Sequence, residues 1–179
     1  MSKQVSIRYA QLKDLIALRD LCIKSFCSAF ATDNNVLDMD AYVSESFSEA
    51  RIRAEFLDAR NTFLLLFSAD SVLPLGYAKL RAGEVDPSVS GEDPIEIERL
   101  YLENSAIGKG LGTKLMSACL VEAEKQGAQT VWLGVWEHNE RAITFYERWD
   151  FKRVGSHVFM LGSDEQNDFI MQRPLKKKR

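Results

Sequence analysis

The sequence is short of the residues that staple or ligate. Its 179 residues include three cysteines (Cys22, Cys27, Cys119) and two histidines (His138, His157). No His, Cys or carboxylate set falls at metal-ligand spacing, so no metal centre is expected. An odd cysteine count, with Cys22 and Cys119 on apolar helical faces, argues against a disulfide framework and for buried thiols in a reducing cytosol. There is no excess of positive charge. The net charge of -3 argues against general nucleic-acid binding and mildly favours cationic partners. No apolar run approaches the ~20 residues of a membrane span. Met1-Ser2-Lys3-Gln4 opens directly into a strand pattern without a secretory leader, so a cytoplasmic protein is expected. Internal repeats and an interdomain linker are also missing. Residues 1–175 therefore read as one domain, and Lys176-Lys177-Lys178-Arg179 as a frayed basic tail.

What the chain does have is a glycine cluster at a telling place. Ile107-Gly108-Lys109-Gly110-Leu111-Gly112 follows a strand-like run, Ile95 to Leu102, and precedes an amphipathic helical run, Thr113 to Gln126. Strand, glycine turn and helix N-terminus together make an anion site. Glycine lets the backbone approach a phosphate, and the first free helical N–H groups point at it. No Lys-Ser/Thr follows at P-loop spacing, and the third glycine of the dinucleotide fingerprint is missing.

The remaining elements follow from periodicity. Val5 to Tyr9 alternates as a strand, and Leu12 to Phe30 carries a helical stripe. A short helix is expected over Asp38 to Ser46. Ser46-Phe47-Ser48-Glu49 fits a capping box for another, reaching about Ala59. Thr62 to Phe67 and Leu75 to Arg81 read as a hairpin, and Gly83 to Pro94 as a mobile polar loop. Thr130 to Val135 is the fifth strand. Asn139 can cap a helix from Glu140 to Trp149. Phe151 to Leu161 and Asp168 to Leu175 close the chain as a hairpin around Gly162-Ser163-Asp164. Strands four and five, joined through a helix, should be parallel, and the hairpins antiparallel. The expected fold is α/β, a mixed and mostly antiparallel sheet of about seven strands with helices on both faces.

The segments Glu98-Arg99-Leu100-Tyr101-Leu102, Gly108-Lys109-Gly110-Leu111-Gly112 and Trp132 to Glu147 resemble the GNAT family of acetyl-CoA-dependent N-acetyltransferases. With Gly155 to Gly162 and Gln166-Asn167-Asp168, the chain is similar more narrowly to the PaiA-type polyamine acetyltransferases. The likeness is strong over residues 95–173. One departure stands out: Ile107 occupies a position where the family carries Gln or Arg. The resemblance implies acetyl-CoA as cofactor. It places Leu100, Tyr101 and Leu102 beside the pantetheine arm, and Ile107, Gly108, Lys109, Gly110, Leu111, Gly112 and Thr113 at the diphosphate. Asn139, Ala142 and Phe145 become further cofactor contacts. Tyr146 becomes the general acid toward the departing thiolate.

Acyl transfer to an amine needs the amine neutral. With a pKa near ~10.4, that costs about 4.6 kcal/mol at pH 7, so a carboxylate base is expected. Glu96 and Glu98 are the candidates, two apart and facing one way on a flat strand. The resemblance favours Glu98; edge-strand solvent charges would look the same. Strict alternation puts Glu96, Glu98, Leu100 and Leu102 on one face, and a β-bulge near Arg99 to Tyr101 would resolve that mixture. With thiol near ~8.5 and phenol near ~10, proton transfer from an ordinary tyrosine is uphill by about 2 kcal/mol. Either the site lowers the Tyr146 pKa, or Tyr146 donates a hydrogen bond to developing charge. Trp136 and His157 are candidate acceptor-pocket residues, beside Glu96.

Seven acids against one base between Glu84 and Glu103 would attract a polyamine such as spermidine or spermine. Lys109, Lys114 and Lys125 suit an anionic cofactor around the glycine-turn helix. A peptide or protein acceptor, a non-catalytic acetyl-CoA-binding regulator, and a homodimer all stay open.

Overall fold

The structure is a computed structural model and describes residues 4–175. The basic tail, 176–179, lies outside the described residues. The chain runs β1 (Val5–Tyr9), a 3-10 turn, α1 (Leu15–Phe30), α2 (Val36–Ser46), α3 (Glu49–Leu57), β2 (Asn61–Ser68) and β3 (Gly76–Ala82). It continues through β4 (Pro94–Leu102), a 3-10 turn, α4 (Leu111–Lys125), β5 (Thr130–Trp136), α5 (Glu140–Glu147), β6 (Lys152–Leu161) and β7 (Asp164–Pro174). One seven-stranded sheet has the order β1-β2-β3-β4-β5-β7-β6. Among the described residues only β4 and β5 run parallel. The expected mixed sheet is therefore what forms.

Alternation along the strands divides the core. Leu64, Leu66, Ala78, Leu80, Ile95 and Ile97 pack beneath α4, whose Leu115, Met116 and Cys119 are fully buried. Leu65, Tyr77 and Tyr101 face the other way, against Leu18, Cys22 and Phe26 of α1 and Ile52 of α3. Burying a side chain of this size stabilises the fold by about 1.5–3 kcal/mol each, which is why two apolar faces fix both helical layers. No helix among the described residues is long and apolar enough to cross a membrane.

Local chemistry moves several boundaries. The first helical run opens as a 3-10 turn, Leu12–Asp14, before α1 starts at Leu15. The N-cap of α3 is Ser48, whose hydroxyl accepts from Arg51 N at 3.2 Å; Ser46 instead ends α2. The glycine-turn helix starts at Leu111, ahead of Thr113, because Gly110 serves as its N-cap. Helix α5 ends at Glu147 rather than Trp149. Strand β7 begins at Asp164, so the closing turn is Gly162-Ser163.

The bulge in β4 lies earlier than expected. Lys79 pairs with Arg99 but Leu80 pairs with Ile97, leaving Glu98 as the extra residue. The extra residue reverses the strand's phase. Ile95, Ile97, Leu100 and Leu102 consequently share the α4 face. Glu96, Glu98 and Arg99 reach the opposite face, where their partners lie. The single-face arrangement of Glu96, Glu98, Leu100 and Leu102 is thus corrected.

Candidate active site

The glycine turn has its donors free. Gly108 and Gly110 have φ of +78° and +73°, left-handed values that disfavour any residue with a Cβ. A Cβ at either would meet nothing within 4 Å, so the turn is open to an approaching group. Ile107 N–H is spent on Asn104 O at 3.2 Å, and Lys114 N–H returns to Gly110 O at 3.4 Å. Among the described residues, the N–H groups between them, from Gly108 to Thr113, donate to no protein oxygen. A run of unspent amides at the positive end of a 15-residue helix fits a diphosphate.

Beside this turn the sheet splits. β4 and β5 pair only through Pro94–Thr130, Ile95–Val131 and Glu96–Trp132. Beyond them β4 pairs with β3 alone and β5 with β7 alone. The bulge at Glu98 begins where the pairing stops, and its extra twist accounts for the splay. The gap continues into a cavity of about 610 Å³ lined by Leu100, Tyr101, Leu102, Ile107, Gly112, Trp136, Asn139, Ala142, Phe145 and Tyr146, among others. Asn139 caps α5, its Oδ1 accepting from Ala142 N at 3.1 Å, so the helix that carries Tyr146 starts at the cavity wall. Burial pushes the Tyr146 phenol well above its usual range.

The acidic residues on the cavity floor differ sharply. Glu98 accepts from Lys79 Nζ at 2.9 Å and has Arg81 Nε and Arg99 NH2 each at 3.3 Å. Glu96 meets Arg81 at 2.8 Å. Burial raises the Glu96 carboxyl above its usual range despite that pairing. Glu55 from α3 completes the cluster through Arg99 at 2.8 Å and Lys79 at 3.1 Å. Burial would raise Glu55, but these cations hold it lower than usual. The result is a balanced set of three carboxylates and three cations.

Asp168 has no such company. It stands on β7, in register with Trp136 on one side and His157 on the other. Among the described residues it forms no ion pair, and burial lifts its carboxyl to about 6, against the opposing influence of His157. A Cβ placed on Gly134 would lie 3.5 Å from Asp168 Oδ2 and 3.8 Å from His157 Cε1, so carboxylate and imidazole converge over that glycine. On its far side, His157 Nδ1 approaches Asp86 Oδ2 at 3.4 Å.

The family model for the acetyltransferase (GNAT) family matches residues 24–151. The chain belongs to the GNAT family. An N-acetyltransferase from the pepI 3' region of Lactobacillus delbrueckii subsp. lactis is 32% identical over 171 residues, covering 96% of this chain and 98% of that one. Among solved structures, the PaiA N-acetyltransferase of Thermoplasma acidophilum, in complex with coenzyme A, superposes with a TM-score of 0.73 at 23% identity. It covers 96% of this chain and 99% of its own. The yncA protein of Salmonella typhimurium, with its cofactor acetyl-CoA, gives 0.67 at 22% identity, covering 98% and 96%. These two share the fold. As a GNAT protein, the chain is an acetyl-CoA-dependent N-acetyltransferase.

Most of the GNAT positions read from the sequence meet at one cleft. Tyr146, Glu98, Glu96, Leu100, Tyr101, Leu102, Ile107, Gly112, Asn139, Ala142, Phe145, Trp136 and His157 all line the cavity. Gly108, Lys109, Gly110, Leu111 and Thr113 form the turn and helix start beyond its lining. Lys125 is corrected: it sits at the far end of α4, ~20 Å from the turn at 1.5 Å per residue, where Glu122 approaches it at 3.9 Å. Sequence reading gave Asp168 no chemical role and left Arg141 out of the lining altogether. Only pairing register could have singled out Asp168, because β6, β7 and β5 meet there through residues far apart in sequence.

Proposed function

We propose that this GNAT enzyme acetylates a small primary amine by direct attack, with Asp168 as the base. Bound acetyl-CoA would supply an activated acyl carbon. The unspent amides from Gly108 to Thr113 suit its diphosphate, and the unpaired edge of β4 at Leu100 to Leu102 suits its pantetheine arm. An N–C bond forms as the C–S bond breaks. The amine's proton goes to Asp168, and the electron pair leaves on sulfur. The observation that carries the base assignment is the contrast between Glu98, ringed by cations, and Asp168, uncompensated at about 6 and therefore ionised and basic near neutrality. His157, held from behind by Asp86, orients the pair and links it toward the loop.

Tyr146 acts as a hydrogen-bond donor to the developing thiolate. Its raised pKa makes complete proton transfer more uphill than for an exposed phenol, while leaving it a competent donor. Both thiols on the helical layers, Cys22 and Cys119, are buried, and burial pushes them up to about 11 and about 12, which disfavours a covalent acetyl-cysteine route.

A polyamine acceptor draws support from the acidic segment and the PaiA likeness. Much of that acidity is spent: Glu84 on Arg81 at 3.2 Å, Glu96 on Arg81 and Glu103 on Lys24 at 2.7 Å. A monoamine fits the remaining charge better. The test is free-thiol release from acetyl-CoA with a panel of amines, and spermidine outperforming every monoamine would reverse that preference.

A further inference from the structure

One end of the cavity is aromatic. Phe30 meets Tyr101 at 6.5 Å and Trp136 at 6.0 Å, edge to face, while Tyr42 meets Phe159 at 5.4 Å. All five rings line the cavity and are only partly covered by the protein. Asp168 sits among them as the one carboxylate of the cavity lining without an ion-pair partner among the described residues.

Helix α2 is latched to the β6–β7 turn. Asp38 Oδ1 accepts from Ser163 N at 2.7 Å and from Ser163 Oγ at 2.8 Å, across 125 residues of sequence. Gln166 Nε2 donates to Asn34 Oδ1 just beneath. Gly162, at φ +62°, makes the approach possible, since a Cβ there would fall 2.6 Å from the Asp38 backbone. These contacts tie α2, which carries Tyr42, to the β6–β7 hairpin, which carries Phe159, and so hold the two rings in place.

We infer that the acceptor is a small monoamine whose amino group is carried on an aromatic or bulky apolar body, an arylalkylamine in the simplest case. The inference rests on the acetyltransferase reading and deepens it. The amine lies at Asp168 and its body lies against Phe30, Tyr42, Trp136 and Phe159, where rings pack edge to face. A polyamine's further ammonium groups would find no second unpaired carboxylate there, because the Glu55, Glu96 and Glu98 charges are matched by Lys79, Arg81 and Arg99. A peptide with a small terminal residue would bring no ring to pack there.

Two measurements test this on the full chain. The first is kcat/KM with acetyl-CoA for 2-phenylethylamine, tryptamine, n-propylamine, spermidine and an alanine-ended peptide. The second is calorimetric binding of the same amines in the presence of coenzyme A. The aryl amines are expected to exceed n-propylamine and spermidine at least tenfold in kcat/KM, with the peptide lowest. Phe30→Ala and Phe159→Ala should each raise the aryl-amine KM about tenfold, leaving the acetyl-CoA KM within twofold. A preference for spermidine or the peptide, or aryl amines that do not bind, overturns the inference while leaving the acetyltransferase reading intact. Aryl amines that bind yet release no thiol, while another amine of the panel does, overturn it too; no thiol release from any amine fails the acetyltransferase reading itself.

Discussion

Asp168 and Trp136 are direct cross-strand partners on β7 and β5, so the uncompensated carboxylate of the cavity stands beside an indole that forms its wall. The pairing puts charge and ring within one acceptor-sized space and orders the expectations that follow.

Asp168→Asn should lower kcat by about 10²–10⁴, the range for loss of a general base. In the parent enzyme kcat/KM should fall below pH about 6 as Asp168 protonates, and this limb should vanish in the variant. Glu98→Gln should keep the limb; its loss there would return the base role to Glu98. Stability moves oppositely. The folded pKa lies above the unfolded value of ~3.9, so the burial penalty is absent below pH ~4, grows through about 6 and is full above it. Asp168→Asn should therefore raise the melting temperature at pH 8 and leave it nearly unchanged at pH 4.

Tyr146→Phe removes one donor and keeps the packing against Phe151, whose ring lies 5.9 Å away. Turnover should drop roughly 10²-fold, as for a single oxyanion donor, with coenzyme A affinity within threefold. Unchanged turnover in a thiol-release assay would remove the role.

Gly110→Val forces a β-branched residue to φ +73° at the N-cap of α4. The left-handed conformation costs about 1–2 kcal/mol before branching is counted, and relieving it rotates the amides away from their common target. Coenzyme A affinity by calorimetry should weaken at least tenfold, and equal affinity would exclude the turn as the diphosphate site.

Lys79→Met leaves Glu98 and Glu55 each one cation short in a buried place, for Lys79 is only 2% exposed. Removing one partner of a buried ion pair costs about 3–5 kcal/mol. Urea unfolding at pH 7 should register a loss in the lower part of that range, since Arg81 and Arg99 remain.

Legibility followed the range of the interaction. Gly108, Gly110 and Asn139 could be assigned from sequence because a left-handed turn and a helix cap are made by neighbouring residues. The strands, their hairpins and the parallel β4–β5 pair followed from alternation and connection lengths, whereas the place of β7 between β5 and β6 did not. The bulge could be suspected, because charged and apolar residues clash in phase along β4, but its position at Glu98 depends on the register with β3.

The sequence by itself determined the elements, the glycine turn and the helix that carries Tyr146, since each arises from residues a few positions apart. Only the tertiary structure decided which carboxylate is free. Lys79 and Glu55 reach Glu98 and Arg99 from other elements, whereas Asp168, in register with His157, forms no ion pair among the described residues. A carboxylate's basicity depends on the charges and water within a few ångströms of it, and folding alone sets those.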